Sequence, residues 1–372
     1  MKITRIEAVP IRIPLKPERR MISALGKHDV SDFVLVVVHT SDGVFGLGEA
    51  TVTPRWSGET CFGAKAIIEH VFTPVLLGCD PLQIEEIDAR LDAVAVDNWF
   101  AKAALEMACW DIAGKAANKP LYELLGGACR PLTIRNRFSL GAYSPEVIRE
   151  RAKERVAAGF DTLKVKVGTD PVADVARVRA VREAVGPNIK LTIDANGGWY
   201  LYQARECLQQ LADCDLTLVE QPLMRGSYSA LKQLRQETGC KILADESCFR
   251  FVEAEELMEQ ECCDALSVYP GKQGGIRKAR AIAEFAADYE IPCTIGSNLE
   301  WDIGAAAMLH FIVATPNMQV ELYPGDCLGP FYHEVSLAKN QLAIQGPFAT
   351  LNSGPGLGIE IDWELAKHHQ LT

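Results

Sequence analysis

After residue 131 the chain repeats one structural unit of about 25 residues, in which a short apolar strand precedes a polar turn and an amphipathic helix. Helices that alternate with strands return the chain to the same edge of a sheet, so the strands run parallel. Repetition over eight units favours a closed barrel over an open sheet. The eight predicted strands are Leu132–Leu140, Thr162–Gly168, Ile189–Asn196, Leu216–Pro222, Lys241–Ser247, Ala265–Tyr269, Ile291–Ser297 and Met318–Tyr323.

The first part of the chain has a different pattern, which predicts a separate α+β domain. Strand patterns at Ile3–Ile13 and Phe33–His39 are followed by a hairpin signal at Ser41–Gly43, and residues 61–118 are helical in pattern. A chain of 372 residues is too long for one ordinary core. The predicted fold is an α/β protein with a modified TIM (β/α)7–8 barrel at residues 131–325, a capping domain at residues 1–130, and a tail at residues 326–372 that packs on the capping domain.

Composition excludes several classes of partner. The net charge is −11 and no stretch concentrates lysine and arginine, so neither nucleic acid nor an anionic membrane is an expected partner. No apolar run reaches the roughly 18 residues of a transmembrane helix. The N-terminus has no signal-peptide core, and the expected location is the cytoplasm. The twelve cysteines are scattered without a C-x-x-C pair, which predicts reduced, buried thiols.

Three predicted strands end in a carboxylate. Asp194, Glu220 and Asp245 are 26 and 25 residues apart, one unit each, so their side chains should converge at the mouth of the barrel. A single acidic residue there is more often a helix N-cap, but three in register repel one another unless a cation binds. Oxygen ligands favour Mg²⁺, with Mn²⁺ possible, and the lack of thiolate or imidazole ligands argues against zinc.

Two lysines alternate with apolar residues in Thr162–Gly168. Lys164 and Lys166 therefore lie on one face of a strand that should be buried on both faces. An exposed edge strand is the alternative explanation. The three carboxylates supply a counter-charge and favour the barrel interior for both amines.

The motifs together resemble those of the enolase superfamily, and within it the muconate-lactonizing subgroup. The resemblance covers nearly the whole chain. It is carried by Phe100–Ala104, Trp110–Lys115, Leu121–Gly127, the lysine pair, Asp194–Asn196, Glu220–Pro222, Asp245–Ser247 and Gly274–Gly275.

The resemblance implies roles for individual residues. Asp194, Glu220 and Asp245 would bind Mg²⁺, and Lys166 would be the general base with Lys164 as its companion. Superfamily members use lysine bases with Mg²⁺ to stabilise the enediolate formed when a proton is lost beside a carboxylate. A lysine base must be a neutral amine, which neighbouring positive charge and a dry site both favour.

One departure from the subgroup affects the expected reaction. The lysine that the subgroup usually presents from the sixth strand aligns with Tyr269, while Lys272 lies three residues on, in the turn. A phenol is a poor base, so Tyr269 favours a reaction with one base, such as cycloisomerisation or elimination of water, over racemisation. Lys272 as the second base is the alternative. The seventh strand ends in Asn298 without the histidine of the mandelate-racemase subgroup.

Substrate selectivity is expected from two N-terminal loops that close over the barrel. Their candidate residues for a distal group are Arg19, Arg20, Lys27 and His28 in the first loop, and Arg55 and Trp56 in the second; plain surface exposure is the alternative for each. Asn196, Glu300 and Glu321 are further polar candidates at the mouth. The eighth unit lacks the paired aspartates that dipeptide epimerases share, so an amine-bearing dipeptide is disfavoured.

The expected activity is Mg²⁺-dependent proton transfer α to a carboxylate in a small molecule, as in a muconate cycloisomerase. The alternatives are an acid-sugar or hydroxy-acid dehydratase, an N-acylamino-acid racemase, and a metal-binding barrel without catalysis. A symmetric homo-oligomer is expected.

Overall fold

The capping domain is built on a three-stranded antiparallel sheet in the computed structural model, which describes residues 1–371. The first five strands are β1 (Ile3–Pro14), β2 (Met21–Ser23), β3 (Gly26–His28), β4 (Val30–Thr40) and β5 (Phe45–Val52). The sheet has the order β1-β4-β5, and β2 and β3 pair as a separate hairpin in the first loop. Val34 to Val38 of β4 are buried without alternation, because the middle strand is covered on both faces.

Helices cover one face of this sheet. They are α1 (Pro54–Ser57), α2 (Cys61–Ile67), α3 (Thr73–Leu76), α4 (Ile84–Val94), α5 (Trp99–Ala117) and α6 (Leu121–Leu124), with a 3-10 turn at Pro17–Arg19 and a π turn at Ile68–Phe72. The central helix α5 lies against β5, where Gly46 and Gly48 let the backbones meet. A Cβ atom at Gly48 would lie 1.8 Å from the carbonyl oxygen of Ala104, so a larger residue would push the helix off the sheet.

Seven parallel strands form the curled sheet of the barrel, one fewer than the eight units of the repeat. Strand β6 (Thr133–Arg135) precedes them in a different sheet. The seven are β7 (Phe138–Leu140), β8 (Thr162–Lys166), β9 (Lys190–Asp194), β10 (Leu216–Glu220), β11 (Ile242–Ala244), β12 (Ala265–Ser267) and β13 (Cys293–Thr294), paired in that order.

The helices of the barrel follow the strands. They are α7 (Pro145–Ala157), α8 (Pro171–Val185), α9 (Leu201–Gln210), α10 (Tyr228–Thr238), α11 (Phe251–Glu259), α12 (Pro270–Gln273), α13 (Ile276–Asp288) and α14 (Asp302–Ala314), with a 3-10 turn at Ala212–Cys214. Helix α14 is buried along its whole length because it packs against the capping domain and against α6 and α13. Polar side chains on such a helix need internal partners.

The predicted first and eighth strands differ from the structure. Leu132–Leu140 divides at Asn136 and Arg137, where the chain leaves the small sheet of β6 and enters the barrel at β7. Met318–Tyr323 is not a strand: Met318 alone bridges to Cys293, and Pro316 and Pro324 flank the segment. Proline cannot donate to a ladder, so the eighth position of the barrel is closed by irregular chain.

The chain after residue 326 returns to earlier elements. It contains α15 (Gly329–Tyr332), β14 (Ala343–Gln345), β15 (Phe348–Thr350) and α16 (Trp363–His368). Strand β15 pairs with β6, while the backbone N–H of Leu371 donates to Pro10 of β1 and that of Leu121 donates to Gly356. The tail thus contacts both the start of the barrel and the capping domain. The domain limits at residues 130 and 325 remain predictions, and Thr372 lies outside the described residues.

Buried carboxylates join the capping domain to the barrel. Glu106 on α5 accepts hydrogen bonds from the backbone N–H groups of Ile276 and Arg277 at the start of α13. Glu49 on β5 does the same for Trp301 and Gly304 at the start of α14. Both acidic groups satisfy helix N-termini that would otherwise be unpaired. This fixes the capping domain over the carboxyl ends of the barrel strands.

The cysteines lie mainly in the interior of the protein. All twelve cysteines are free and ten are buried, as expected for small apolar side chains. Within residues 1–371 no helix has the length and apolar character needed to cross a bilayer.

Candidate active site

The carboxyl ends of three neighbouring strands bring the predicted residues to one level. In the sheet register Lys166 of β8 is the partner of Asp194 on β9, and Asp194 is the partner of Glu220 on β10. Asp245 follows β11 by one residue. Lys164 lies two residues before Lys166 and therefore on the same face, one layer deeper. The predicted convergence of amines and carboxylates occurs because parallel strands end at the same edge.

Lys166 is held between two oxygens. Its Nζ lies 2.6 Å from Oδ2 of Asp194 and 2.8 Å from Oδ1 of Asn196. Asn196 has a left-handed backbone (φ 44°), a conformation that asparagine tolerates better than most residues. The strained turn directly after β9 thus aims the amide at Lys166.

Lys164, one layer deeper in the barrel than Lys166, pairs with two carboxylates. Its Nζ lies 3.0 Å from Oε1 of Glu220 and 3.1 Å from Oδ2 of Asp194. Burial and the nearby Arg137 lower the pKa of Lys164, but Glu220 and Asp194 outweigh them, so its pKa is raised. Asp194 is buried as well, yet Lys166 and Lys164 hold its pKa below the ordinary range. The pair is therefore an ammonium and a carboxylate.

Arg137 is a member of this cluster that the sequence analysis missed. It is 1% exposed, and one of its terminal nitrogens lies 2.8 Å from Oε2 of Glu220. The two atoms are not oriented as a hydrogen bond, and Glu220 Oε2 has no other partner among residues 1–371. The alternation of Arg137 and Ser139 in the first predicted strand was the available signal, since both face the barrel interior.

Lys272 lies in the short helix α12 directly after β12, and its side chain is buried inside the barrel. Its Nζ donates to Oδ1 of Asp245 at 2.7 Å, to the carbonyl of Asp245 at 2.9 Å and to the carbonyl of Ser267 at 2.6 Å. Three acceptors use all three protons of an ammonium group. Lys272 is thus a charged partner of Asp245, without a lone pair to act as a base in this arrangement.

Tyr269 is buried beside the carboxylates. Its ring lies 6.0 Å from that of Trp56 and is 1% exposed. Burial raises the pKa of Tyr269 well above its usual value, and the negative charge of Asp245 adds to the shift, so the phenol stays neutral. It is not among the side chains that line the cavity described next.

The strand ends open into a cavity of about 450 Å³ beneath the two N-terminal loops. Lys27, His28, Arg55 and Trp56 line it, together with the three carboxylates and both strand lysines. Arg55 donates to the carbonyl of Leu25 at 2.7 Å and so ties the second loop to the hairpin of the first. Arg19 and Arg20 do not line this cavity; they face a neighbouring one.

Glu246 connects the second loop to the base of the cavity. Its Oε1 accepts from the indole Nε1 of Trp56 at 3.0 Å and from Nδ2 of Asn196 at 2.9 Å. Burial raises the pKa of Glu246 to about 8, and the charges of Asp245 and Asp194 add to this effect. Glu246 was part of the Asp245–Ser247 motif, but the sequence analysis gave it no role.

Two predicted polar residues lie elsewhere. Glu321 is exposed outside the barrel and pairs with Arg130 at 2.9 Å, so its placement at the mouth was wrong. It lies within Met318–Tyr323, the segment that does not form an eighth strand. Glu300 is buried behind the cavity wall, where it accepts from Ser297 Oγ at 2.6 Å. The acidic residue that the eighth unit does contribute to the cavity is Asp326.

Donor chemistry in the cavity suits a hard cation. Three carboxylates converge at the strand ends, and carboxylate oxygens are the ligands that Mg²⁺ prefers. The imidazole in the cavity wall, His28, belongs to the first loop, and the buried Glu220 Oε2 has no hydrogen bond. Within residues 1–371, no three acidic, histidine or cysteine side chains stand in metal-binding proximity as they are. The amines explain this, because Lys164, Lys166 and Lys272 occupy the carboxylate oxygens. Metal binding would require Lys166 to withdraw from Asp194.

Comparison with known proteins identifies two family domains that together span most of the chain. Residues 5–126 match the family described as mandelate racemase/muconate lactonizing enzyme, N-terminal domain. Residues 147–365 match the family described as enolase C-terminal domain-like.

The similar proteins are named for different reactions. A hydrophobic dipeptide epimerase from Enterococcus faecalis is 36% identical over 96% of this chain and 99% of its own length. A solved dipeptide epimerase from the same bacterium, complexed with Mg and the dipeptide L-Leu-L-Tyr, has a TM-score of 0.91 and 35% identity over 97% of this chain and 100% of that chain. A 2-chloromuconate cycloisomerase from Rhodococcus opacus has a TM-score of 0.96 and 28% identity, with all of both chains covered.

Proposed function

The chain belongs to the mandelate racemase/muconate lactonizing enzyme family of the enolase superfamily, and we propose that this isomerase moves a proton α to a carboxylate with Lys166 as its only base. The resemblance to the enolase superfamily is thereby confirmed. The finer statements that follow, on residue roles, metal and reaction, are proposals.

One observation carries the single-base assignment. Lys166 is the amine that lines the cavity at the level of the carboxylates, whereas the opposite position holds a buried phenol, Tyr269. Lys272, the alternative second base, gives all its protons to Asp245 and Ser267. Inversion by two bases needs a proton acceptor on each face of the substrate, and this site offers one.

Asp194, Glu220 and Asp245 would hold Mg²⁺. When bound, the ion supplies electrostatic stabilisation of the negative charge that develops on the substrate carboxylate. The chain's own residues orient the base: Asn196 accepts from Lys166, and Glu246 holds the amide of Asn196. Trp56 covers this network from the second loop, through its hydrogen bond to Glu246.

The reaction class that fits one base is a cycloisomerase-type reaction, in which Lys166 delivers or removes a single proton. Lys27 and Arg55 at the cavity rim supply positive charge for the far end of an unsaturated dicarboxylate or lactone. A dehydratase uses the same single base and is the second candidate within this scheme.

Epimerisation of a dipeptide is a different candidate, and one side chain favours it. Asp326 lines the cavity and accepts from Ser139 Oγ at 3.0 Å, so a carboxylate is available for a substrate ammonium group. The relative with 36% identity is named as a dipeptide epimerase. This candidate requires a proton route on the face of Tyr269.

Proton exchange in D₂O separates these candidates. The Mg²⁺-loaded protein is incubated with muconolactones, hydroxy acids, N-acylamino acids and dipeptides, and loss of the α-proton is followed by NMR. We expect deuterium to enter from one face only. Lys166→Ala should slow exchange by about 10² to 10⁴ fold, while Lys153→Ala on the exposed face of α7 should not.

Two exchange results would contradict the proposal. Exchange of both enantiomers with inversion would replace the single-base proposal by an epimerase, and native exchange rates in Lys166→Ala would refute the base. The metal is tested without activity: Mg²⁺ added to the EDTA-treated protein should raise the unfolding temperature, and Asp194→Asn should abolish that rise.

A further inference from the structure

A second cavity of about 210 Å³ lies beside the catalytic one, and Met21 and Ser139 form part of the wall of both. One water molecule needs only roughly 10–15 Å³ of such volume, so this space holds a larger group. Its lining is unusually basic for a protein with net charge −11. Four arginines contribute: Arg19, Arg20, Arg151 and Arg155.

The arginines come from two elements that face each other. Arg19 ends the 3-10 turn in the first loop and Arg20 follows it, while Arg151 and Arg155 lie one helical turn apart on α7. Like charges at this spacing on a helix destabilise it unless an anion compensates them. The fold therefore concentrates positive charge at this point and does not disperse it.

Acidic residues at the cavity do not neutralise this charge. Glu18 and Glu154 also line it, but their side chains are 60% and 63% exposed, and their distances to Arg19 and Arg155 are 3.7 and 3.4 Å. The side chains of Arg19 and Arg155 are only 17% and 20% exposed. Long contacts to solvated carboxylates contribute little, so these partly buried guanidinium groups retain N–H donors without a strong acceptor.

Two buried polar atoms at this place have no partner among residues 1–371. They are Nε of Arg19 and the hydroxyl of Tyr332, whose side chain is 1% exposed. Arg19 uses another nitrogen for the carbonyl of Phe331 and stacks 3.4 Å above that ring, which fixes its guanidinium in place. Unpaired buried donors are rare in native proteins and usually indicate a water or an ion.

We propose that this second cavity binds a small oxyanion, a carboxylate or phosphate-type group, between Arg19, Arg155 and Tyr332. Guanidinium groups present forked N–H donors that match the oxygens of such anions, and a hydroxyl completes the set. The anion has two sources. It is the distal end of a dianionic substrate that passes Met21, or a separate small ion that binds beside the substrate.

Binding is measured by calorimetric titration of the whole, Mg²⁺-loaded protein with inorganic phosphate at low chloride. Arg155→Gln and Arg19→Gln should each weaken binding at least about tenfold, since each removes a charged hydrogen-bond donor. Tyr332→Phe keeps the stacking on Phe138, at 5.6 Å, and should weaken binding several-fold. The matched control is Arg149→Gln, which removes an exposed arginine of the same helix that pairs with Glu183.

Phosphate binding and its competition with two probes decide whether the second cavity is an anion site. No phosphate binding, or equal binding in Arg155→Gln and in the Arg149→Gln control, overturns the proposal. Competition then distinguishes the two sources of the anion. The probes are N-acetyl-L-leucine, which has one carboxylate, and N-succinyl-L-leucine, which has two. Phosphate that competes only with the succinyl compound identifies a substrate subsite, and phosphate that competes with neither identifies a separate ion site. Competition with both would place phosphate in the catalytic cavity and refute the assignment.

Discussion

The indole of Trp56 and the amide of Asn196 donate to one and the same oxygen, Oε1 of Glu246, at 3.0 and 2.9 Å. Asn196 in turn accepts from Lys166 at 2.8 Å. A loop of the capping domain is thus connected to the proposed base through two polar side chains of the barrel. The position of that loop and the orientation of the proposed base are therefore linked by hydrogen bonds.

Trp56→Phe tests this connection. The ring packing against Phe249 and Tyr269 is retained, but the hydrogen bond to Glu246 is lost. Because its raised pKa keeps the Glu246 carboxyl group largely protonated at neutral pH, this loss costs about 0.5–1.5 kcal/mol. We expect proton exchange to slow by about two- to tenfold, with a lower kcat as well as a higher KM. Trp110→Phe is the matched control, because Trp110 donates to Glu106 in the capping domain, away from the cavity. Equal effects of both substitutions would contradict the connection.

Lys272→Met distinguishes a structural lysine from a second base. Removal of the ammonium leaves the buried Asp245 carboxylate without its charged partner, and we expect a loss of about 3–5 kcal/mol in the free energy of unfolding. Lys367→Met breaks an exposed pair with Glu364 and should cost at most about 1 kcal/mol. Urea denaturation measures both. A stable Lys272→Met protein that has lost only activity would support Lys272 as a catalytic base.

Tyr269→Phe removes the phenol and keeps the buried ring. Because the phenol lies outside the cavity lining and its raised pKa keeps it neutral, we expect proton exchange within about threefold of the native rate. The measurement is the same NMR exchange, with substrate and Mg²⁺ saturating. A loss of more than tenfold would show that the hydroxyl donates to the substrate or the leaving group.

His310 makes stability depend on pH. It is buried in α14 with its Nδ1 accepting from the N–H of Tyr122, and burial lowers its pKa to about 3. Below pH 6.5 the unfolded chain binds a proton that the folded His310 does not, so stability falls as the pH decreases toward 3. Between pH 7.5 and 5 this group should cost about 2 kcal/mol.

His310→Asn retains an acceptor for Tyr122 and cannot titrate. We expect the stability difference between pH 7.5 and pH 5 to be smaller by about 2 kcal/mol than in the native protein, although the variant is less stable at both pH values. His368→Asn, at an exposed position in α16, should leave the difference unchanged. Identical pH dependence in His310→Asn would mean that another group is responsible.

The sequence alone was sufficient for the layout of the catalytic face. Strand spacing placed Asp194, Glu220 and Asp245 at one edge, and alternation placed Lys164 and Lys166 on one face. Both follow from local rules, since parallel strands with helical crossovers end at the same side and side chains alternate along a strand. The motifs around these residues also predicted the family.

Contacts between residues distant in sequence were decided by the tertiary structure. Lys272 was placed in the turn after the sixth strand without a partner, and the structure shows that this segment folds it back onto Asp245. Glu321 was placed at the mouth but lies outside, because Met318–Tyr323 does not continue the sheet. Arg137, Glu246 and the arginine-lined second cavity required a knowledge of which loops and helices meet. Periodicity predicts which face of an element a side chain occupies, whereas its partner depends on how whole elements pack.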